Sequence, residues 1–294
     1  MTSEIRPRRS VLYMPGSNPR ALEKAKALPA DSMILDLEDA VAPDAKAEAR
    51  DLVCAAVQSG DYGQRELIIR INGLETPWGI DDLEAAAAAG PDAILVPKVM
   101  SGQMLISTDK LLDDANAPAK TRLWAMIETP FAIMHAEEIA SMSTSTRLDC
   151  FVMGTNDLAL ELGCEQTAAR DPMKTSLSWA LLAGRAYNLA VIDGVYNDIA
   201  NADGFAASCQ QGFEFGFDGK TVIHPNQVGP ANEIFAPPAE EVSWARQIIA
   251  EFEKPENSAK GVIKLDGRMV ERLHVEQATR LVAMADAIVA REAE

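Results

Sequence analysis

Two apolar runs in this chain stop at acids. "LWAMIETP" (residues 123–130) ends its run at Glu128, and "DCFVMGTND" (149–157) passes through Gly154 to Asn156 and Asp157. Two carboxylates at neighbouring strand ends, with positions left for water and substrate, suit Mg2+, a hard ion that takes oxygen ligands and often keeps only one or two protein carboxylates. Each acid also has a plain alternative. Asp157 could cap the helix that "GTNDLALELG" begins, and Glu128 could pair with a basic neighbour. Arg70 closes "LIIRIN"; its planar fork either grips a substrate carboxylate or pairs with Glu38 or Asp39, and the two uses are compatible. "DLEDAV" crowds Asp36, Glu38 and Asp39 into four positions, an arrangement that needs cations or hydrogen-bond donors to offset the repulsion. In "FDGKTVIHPNQ" (217–227), His224 is either a contact for a phosphate or thioester group or a structural donor. Asp266, before Gly267 in "LDGRMVERLH", reads as a hairpin-turn residue.

These residues need a frame that brings them together. Eight short apolar runs recur along the chain: "SVLYM", "SMILDL", "ELIIRI", "DAILVPK", "RLWAMIE", "DCFVMG", "LAVID" and "FGFDGKTVI". Helical stretches such as "PRALEKAKAL", "PDAKAEARDLVCAAV", "GIDDLEAAAAAG", "PFAIMHAEEIA" and "TSLSWALLAGRAYN" lie between them, several opening on Pro or Asp as helix starts do. Continuous apolar strands imply a parallel sheet buried on both faces. The fold class expected is α/β, a closed (β/α)8 barrel over residues 1–236. No G-x-G-x-x-G follows the first strand, which argues against an open dinucleotide-binding sheet. In a barrel the polar strand ends (Asp36, Glu38 and Asp39, Arg70 and Asn72, Lys98, Glu128, Asn156 and Asp157, Asp193) form one rim, where catalytic groups gather. After Pro237-Pro238 the pattern changes. Residues 237–294 read as an amphipathic helix, a loop, and a short extended piece feeding a second helix: a lid or a subunit contact.

Composition narrows the function classes. The 44 acids against 27 bases give a formal charge of −17, which repels nucleic-acid phosphates. No apolar run approaches the roughly 18 residues of a membrane span, and the first residues lack the apolar core of a secretory signal. The cysteines Cys54, Cys150, Cys164 and Cys209 show no metal-ligand spacing, and the three histidines form no helical pair; reduced thiols in a cytoplasmic protein are the expectation. Against the acidic background, Arg6, Arg8, Arg9, Arg20, Lys24 and Lys26 make the N-terminus basic, either a patch that receives a small polyanion or a solvated tail.

"RSVLYMPGSN", "ILDLEDAVAPDAK", "IIRING", "VPKV", "AMIETP", "MGTNDLALELG", "GFDGKTVIHPNQ" and "LDGRMVERLH" together resemble the citrate lyase β-subunit-like branch of the HpcH/HpaI aldolase family, over nearly the whole chain. That branch includes malyl-CoA lyases, citramalyl-CoA lyases and malyl-CoA thioesterases. The resemblance implies a (β/α)8 barrel in homo-trimers or hexamers, Mg2+ on Glu128 and Asp157, and Arg70 on the carboxylate of a glyoxylate- or pyruvate-like oxo acid. It implies that Glu38 and Asp39 order metal waters and reacting groups. It puts coenzyme A or substrate contacts at Tyr13, Met14, Asn18, Lys24, Asn156, Ile223 and His224, and makes Asp266 an acid delivered by a neighbouring subunit's C-terminal segment. The implied activity is Mg2+-dependent cleavage or thioester hydrolysis of a 3-hydroxydicarboxylic acyl-CoA such as (3S)-malyl-CoA. The alternatives are a citrate lyase β-type subunit of a larger complex and a coenzyme-independent class II 2-oxo acid aldolase. Asn18 and Met14 stand where malyl-CoA lyases carry arginine and glycine, which points toward the thioesterase-like or citramalyl-type members. The C-terminal segment favours a free-standing coenzyme A enzyme over a carrier-dependent subunit.

Overall fold

The eight apolar runs form eight parallel strands: β1 (Ser10–Pro15), β2 (Ser32–Asp36), β3 (Glu66–Arg70), β4 (Ala93–Val96), β5 (Arg122–Ile127), β6 (Leu148–Met153), β7 (Ala190–Asp193) and β8 (Gly219–Val222). Each pairs with the next in sequence, and Ser10 opposite Lys220 joins β1 to β8, so the ring closes. This computed structural model describes residues 5–257 and 260–292. Residues 8–235 make one compact unit, the barrel; the described residues from 236 onward group with residues 5–7 as a second.

Strand alternation divides the apolar residues between two cores. Val11, Ile34, Ile68, Leu95, Trp124 and Ile192 fill the barrel interior. Their neighbours Leu12, Leu35, Ile69, Val96, Phe151 and Val191 pack against the surrounding helices. This explains why the strands read as unbroken apolar runs: each successive side chain is buried on one side or the other, at roughly 1.5–3 kcal/mol per large aliphatic group.

Two basic residues of the N-terminus are absorbed by the barrel, which corrects the expectation of a basic patch. Arg8 donates from Nη2 to Glu66 (2.7 Å) and Asp149 (2.7 Å) and lies over the Trp124 ring at 4.8 Å. Arg9 pairs with the buried Asp31 at 2.9 Å. Acids at the N-terminal ends of β2, β3 and β6 pair with these cations, so the charges close the barrel floor. Lys26 pairs with Glu23 and Asp61, which leaves Arg20 and Lys24 exposed on or beside the first helix.

The helices depart from the expectation in two places. "PFAIMHAEEIA" is two helices, Pro130–Met134 and Ala136–Ser141, because the chain bends at His135 (φ −110°). There the imidazole stacks on Phe131 at 4.1 Å, and Nδ1 lies 2.8 Å from the Phe131 carbonyl oxygen. Helices Gly102–Asp114 and Ala202–Phe215, outside the expected helical stretches, complete their β/α units; Ser101 and Asn201 cap them by accepting an N–H three residues on.

The second unit holds helix Ala239–Glu253, the antiparallel hairpin β9 (Val262–Leu265) and β10 (Arg268–Glu271), and helix Arg272–Glu292. The expected short extended piece is therefore a paired hairpin. Its turn is Asp266 (φ 44°) and Gly267 (φ 82°), both left-handed, as an Asp-Gly turn requires. Ala245, Ile248, Phe252, Ile263, Val270 and Ala278 form its own small core. Among the described residues no helix is long and apolar enough to cross a membrane.

Candidate active site

A cleft of about 360 Å³ opens where the strands end, walled by Tyr13, Asp36, Arg70, Glu128, Asp157 and Ile223 among others. Residues more than 200 positions apart in the chain thus share one space, the arrangement a barrel rim provides.

Arg70, the last residue of β3, organises one side. Its Nε and Nη2 donate to the two carboxylate oxygens of Asp36 at 2.6 and 2.7 Å. Nη1 lies 2.7 Å from Glu38 Oε2 and 3.6 Å from Asp39. The Glu38 approach is an ion pair without hydrogen-bond alignment, so Oε2 is buried with no hydrogen bond. The guanidinium also sits 5.0 Å from the Tyr13 ring centre, and the Tyr13 hydroxyl is itself buried without a partner. The bidentate partner of Arg70 is therefore Asp36; Glu38 and Asp39 share the remaining edge.

The crowded acids of "DLEDAV" are held by donors. Asp36 accepts the N–H groups of Glu38 and Ala40. Lys46, reaching back from its helix, donates to the carbonyl oxygens of Leu37 and Glu38 and to Asn72. Asn72 in turn binds Asp82. Asn72 is thus part of the scaffold behind the rim.

Glu128 follows β5 and is almost wholly buried, at 2% exposure. Its Oε1 accepts the Lys98 N–H at 2.7 Å. Gly154 makes room for it: a Cβ there would stand 2.3 Å from the Glu128 Cβ and 2.5 Å from Oε2. Burial, reinforced by Glu38 and Asp157 and opposed by the Lys98 N–H, pushes the Glu128 carboxyl up to about 8. Burial also pushes Glu38 up to about 7, with Arg70 opposing and Asp39 and Asp36 adding to it. Asp157 stands in the first turn of helix Thr155–Leu162; the cap position is Gly154 and no side chain caps this helix. That removes the N-cap reading of Asp157 and leaves its carboxylate to the cleft.

A divalent cation fits this set. Two carboxylates from adjacent strand ends share a cleft, Glu128 keeps Oε2 clear of hydrogen bonds from the described residues, and the acids around them are short of positive charge. Among the described residues no group of three or more His, Cys, Asp or Glu side chains is arranged to hold a metal alone. Water or substrate would complete the shell, as is common for Mg2+.

The other sequence-derived candidates divide. Asn156 stands on the rim, its Oδ1 accepting from Asn197 (2.8 Å) and Gln166 (3.0 Å). Ile223 lines the cleft, its N–H held by Gln227. Met14 does not reach it: strand alternation turns its side chain into the outer core. The Asn18 side chain caps helix Pro19–Ala25 by accepting the Ala21 N–H, and Lys24 lies exposed on that helix. His224 is an acceptor, not a donor, toward its neighbour: Nδ1 takes the Asn226 N–H at 3.2 Å. Asp193 belongs outside the cleft, paired beneath the helical layer with Lys220 and Arg170. Asp266 is an exposed turn residue of the second unit.

Comparison with known proteins gives a consistent result. The HpcH/HpaI aldolase/citrate lyase family matches residues 9–225. A (3S)-malyl-CoA thioesterase of Cereibacter sphaeroides is 46% identical over 290 residues, covering 99% of each chain. The citrate lyase β subunit of Leuconostoc mesenteroides is 34% identical, over 95% of this chain and 94% of the relative. Among solved structures, the protein CitE from Mycobacterium tuberculosis in complex with magnesium, acetoacetate and coenzyme A superposes with a TM-score of 0.72. It is 28% identical, over 96% of this chain and 98% of that one.

Proposed function

The chain belongs to the HpcH/HpaI aldolase/citrate lyase family and is an enzyme, and from that premise we propose that it hydrolyses (3S)-malyl-CoA with Mg2+ held by Glu128 and Asp157. The observation that carries this reading is the meeting of Glu128 and Asp157 in one cleft beside Arg70. Full-length similarity to a (3S)-malyl-CoA thioesterase supports the choice of substrate and of hydrolysis. The magnesium and coenzyme A in the M. tuberculosis CitE complex support the metal and the thioester class.

Bound Mg2+ would act as a Lewis acid toward the substrate's hydroxyl and carboxylate oxygens. Arg70, anchored by Asp36, offers its Nη1 edge to the substrate carboxylate, which takes the place that Glu38 and Asp39 now share. Glu38, released from that contact and lifted by burial to about 7, acts in its ionised form as the base that takes a proton from the attacking water. The water oxygen bonds to the thioester carbon, the carbon–sulfur bond breaks, and the sulfur leaves as coenzyme A thiol with the proton that Glu38 took from the water. Asp39 orders water at the cleft mouth. Asp266 is assigned as a further acid, brought by the C-terminal segment of a neighbouring subunit in a trimer or hexamer. Tyr13, Asn18, Lys24, Asn156, Ile223 and His224 are assigned to the coenzyme and substrate side.

The test follows two products separately. Purified protein with (3S)-malyl-CoA and Mg2+ should release free thiol with no matching glyoxylate. Glyoxylate without thiol means carbon–carbon cleavage and overturns the hydrolytic assignment. Neither product from the unaided chain points to a subunit of a larger complex.

A further inference from the structure

Lys98 has no place in the function proposed above, yet its geometry is unusual. It follows β4 by two residues and holds a left-handed backbone (φ 49°), a conformation that L side chains other than Asn and Asp seldom adopt. That turn has a visible result: the Lys98 N–H points at Glu128 Oε1 from 2.7 Å. The side chain, meanwhile, is exposed at the rim. Its ammonium lies in the field of Glu38, Asp157, Glu128 and Asp39 without closing a direct ion pair with a described residue.

The other cations near these acids are committed. Arg70 is spanned by Asp36 and Glu38, and Lys46 spends its N–H groups on Leu37, Glu38 and Asn72. Among the described residues, Lys98 stands beside the acids with its side chain exposed and not tied into a direct ion pair. Once the cleft acids are ionised, Glu128 above about pH 8 among them, they need positive charge nearby when no metal is present, and a metal of charge +2 would be repelled by the same ammonium.

We propose that the Lys98 ammonium is the built-in counter-cation of the acidic cleft in the metal-free enzyme, and that it moves aside as the divalent site fills. The backbone turn and the side chain then have separate tasks. The N–H fixes Glu128 in place, and the ammonium sets how tightly, and at what ionic strength, a divalent ion is held. This inference rests on Glu128 and Asp157 being the metal ligands.

The sign of the effect separates this role from a merely structural one. Removing a structural lysine would weaken metal binding; removing a resident counter-cation strengthens it. Mg2+ affinity of the full-length protein, measured by titration calorimetry at pH 8.5, is the readout. Lys98→Ala should bind Mg2+ about tenfold tighter than wild type at low salt, with the gap closing at high salt as the charges are screened. Lys98→Gly, which keeps the N–H and relieves the left-handed strain, should show the same gain and guards against misfolding of the alanine variant. Lys98→Arg should restore the wild-type affinity. Unchanged or weaker binding in both variants, with wild type binding normally, overturns the proposal. Failure of wild type itself to bind Mg2+ overturns the metal assignment, and this inference with it.

Discussion

Replacing Glu128 with glutamine should raise the stability of the metal-free protein while removing its activity. The reason lies in where the carboxyl sits. It is 2% exposed, pressed against Gly154, and flanked by Glu38 and Asp157. Its proton affinity in the folded chain is about 8, against an ordinary 4.5. Between those values the folded state holds a proton that the unfolded state has lost. Stability from this group is therefore full below pH 4.5 and is lost as pH rises toward 8, the reverse of the usual salt-bridged carboxylate. The slope is about 1.4 kcal/mol per pH unit, so about 4 kcal/mol disappears by pH 7.5. Glutamine resembles the protonated acid, can still accept the Lys98 N–H, and never ionises. In the presence of a chelator the variant should match wild type near pH 4.5 and unfold at higher temperature near pH 7.5. At about 2 °C per kcal/mol for a chain of this size, the gap approaches 8 °C. Saturating Mg2+ should stabilise wild type by about 3 kcal/mol at a hundredfold excess over its dissociation constant, and leave the variant unmoved. Thermal unfolding across pH, with chelator and with Mg2+, reads both effects. Equal stability of the two proteins at pH 7.5 would refute the electrostatic reasoning, and equal Mg2+ stabilisation would remove Glu128 from the metal site.

Four further outcomes are expected. Asp157→Asn should abolish Mg2+-dependent release of thiol with an unchanged circular dichroism spectrum; full activity contradicts its role as ligand. Gly154→Ala should cost about 1–3 kcal/mol by overpacking and cut kcat, because the new methyl collides with the Glu128 side chain; an active variant as stable as wild type shows that Glu128 has room to move. Asp36→Asn breaks the bidentate support of a 6%-exposed arginine, for about 3–5 kcal/mol of lost stability and a raised KM; denaturant unfolding and saturation kinetics check this together. Asp266→Asn preserves the left-handed turn, which Asn tolerates, so kcat should fall with KM nearly constant; a change in KM alone makes the hairpin a lid and nothing more.

The barrel was legible because its strands are buried on both faces and its connections carry helical periodicity. Each of the eight apolar runs became a strand within a residue or a few of its expected ends. Helices Gly102–Asp114, Ala202–Phe215 and Val228–Ile234 stand outside the expected stretches; the first two carry signals in Ser101 and Asn201, cap residues outside any apolar run. Rim position itself was a weaker guide, because a strand's last polar residue faces the cleft or the helical layer depending on parity. Ile192 points inward, so Asp193 points out to Lys220 and Arg170; the same alternation removes Met14 while admitting Tyr13.

What sequence patterns could not convey is which opposite charges meet. Arg70 was visible as a buried arginine, but its choice of Asp36 over Glu38 and Asp39 depends on β2 and β3 running side by side with Asp36 opposite Arg70 in register. Once that pair forms, one acid of the three is neutralised and the other two are left sharing a single guanidinium edge. Glu38 then carries the strain, as a buried oxygen with no aligned donor. The same shortage recurs across the cleft at Glu128. On the proposed function, a divalent ion would relieve this surplus of acids over fixed cations. The local cost is of the kind that marks a binding site rather than a packing error. The stability of the metal-free protein should accordingly fall as pH rises and the buried carboxyls of Glu38 and Glu128 ionise.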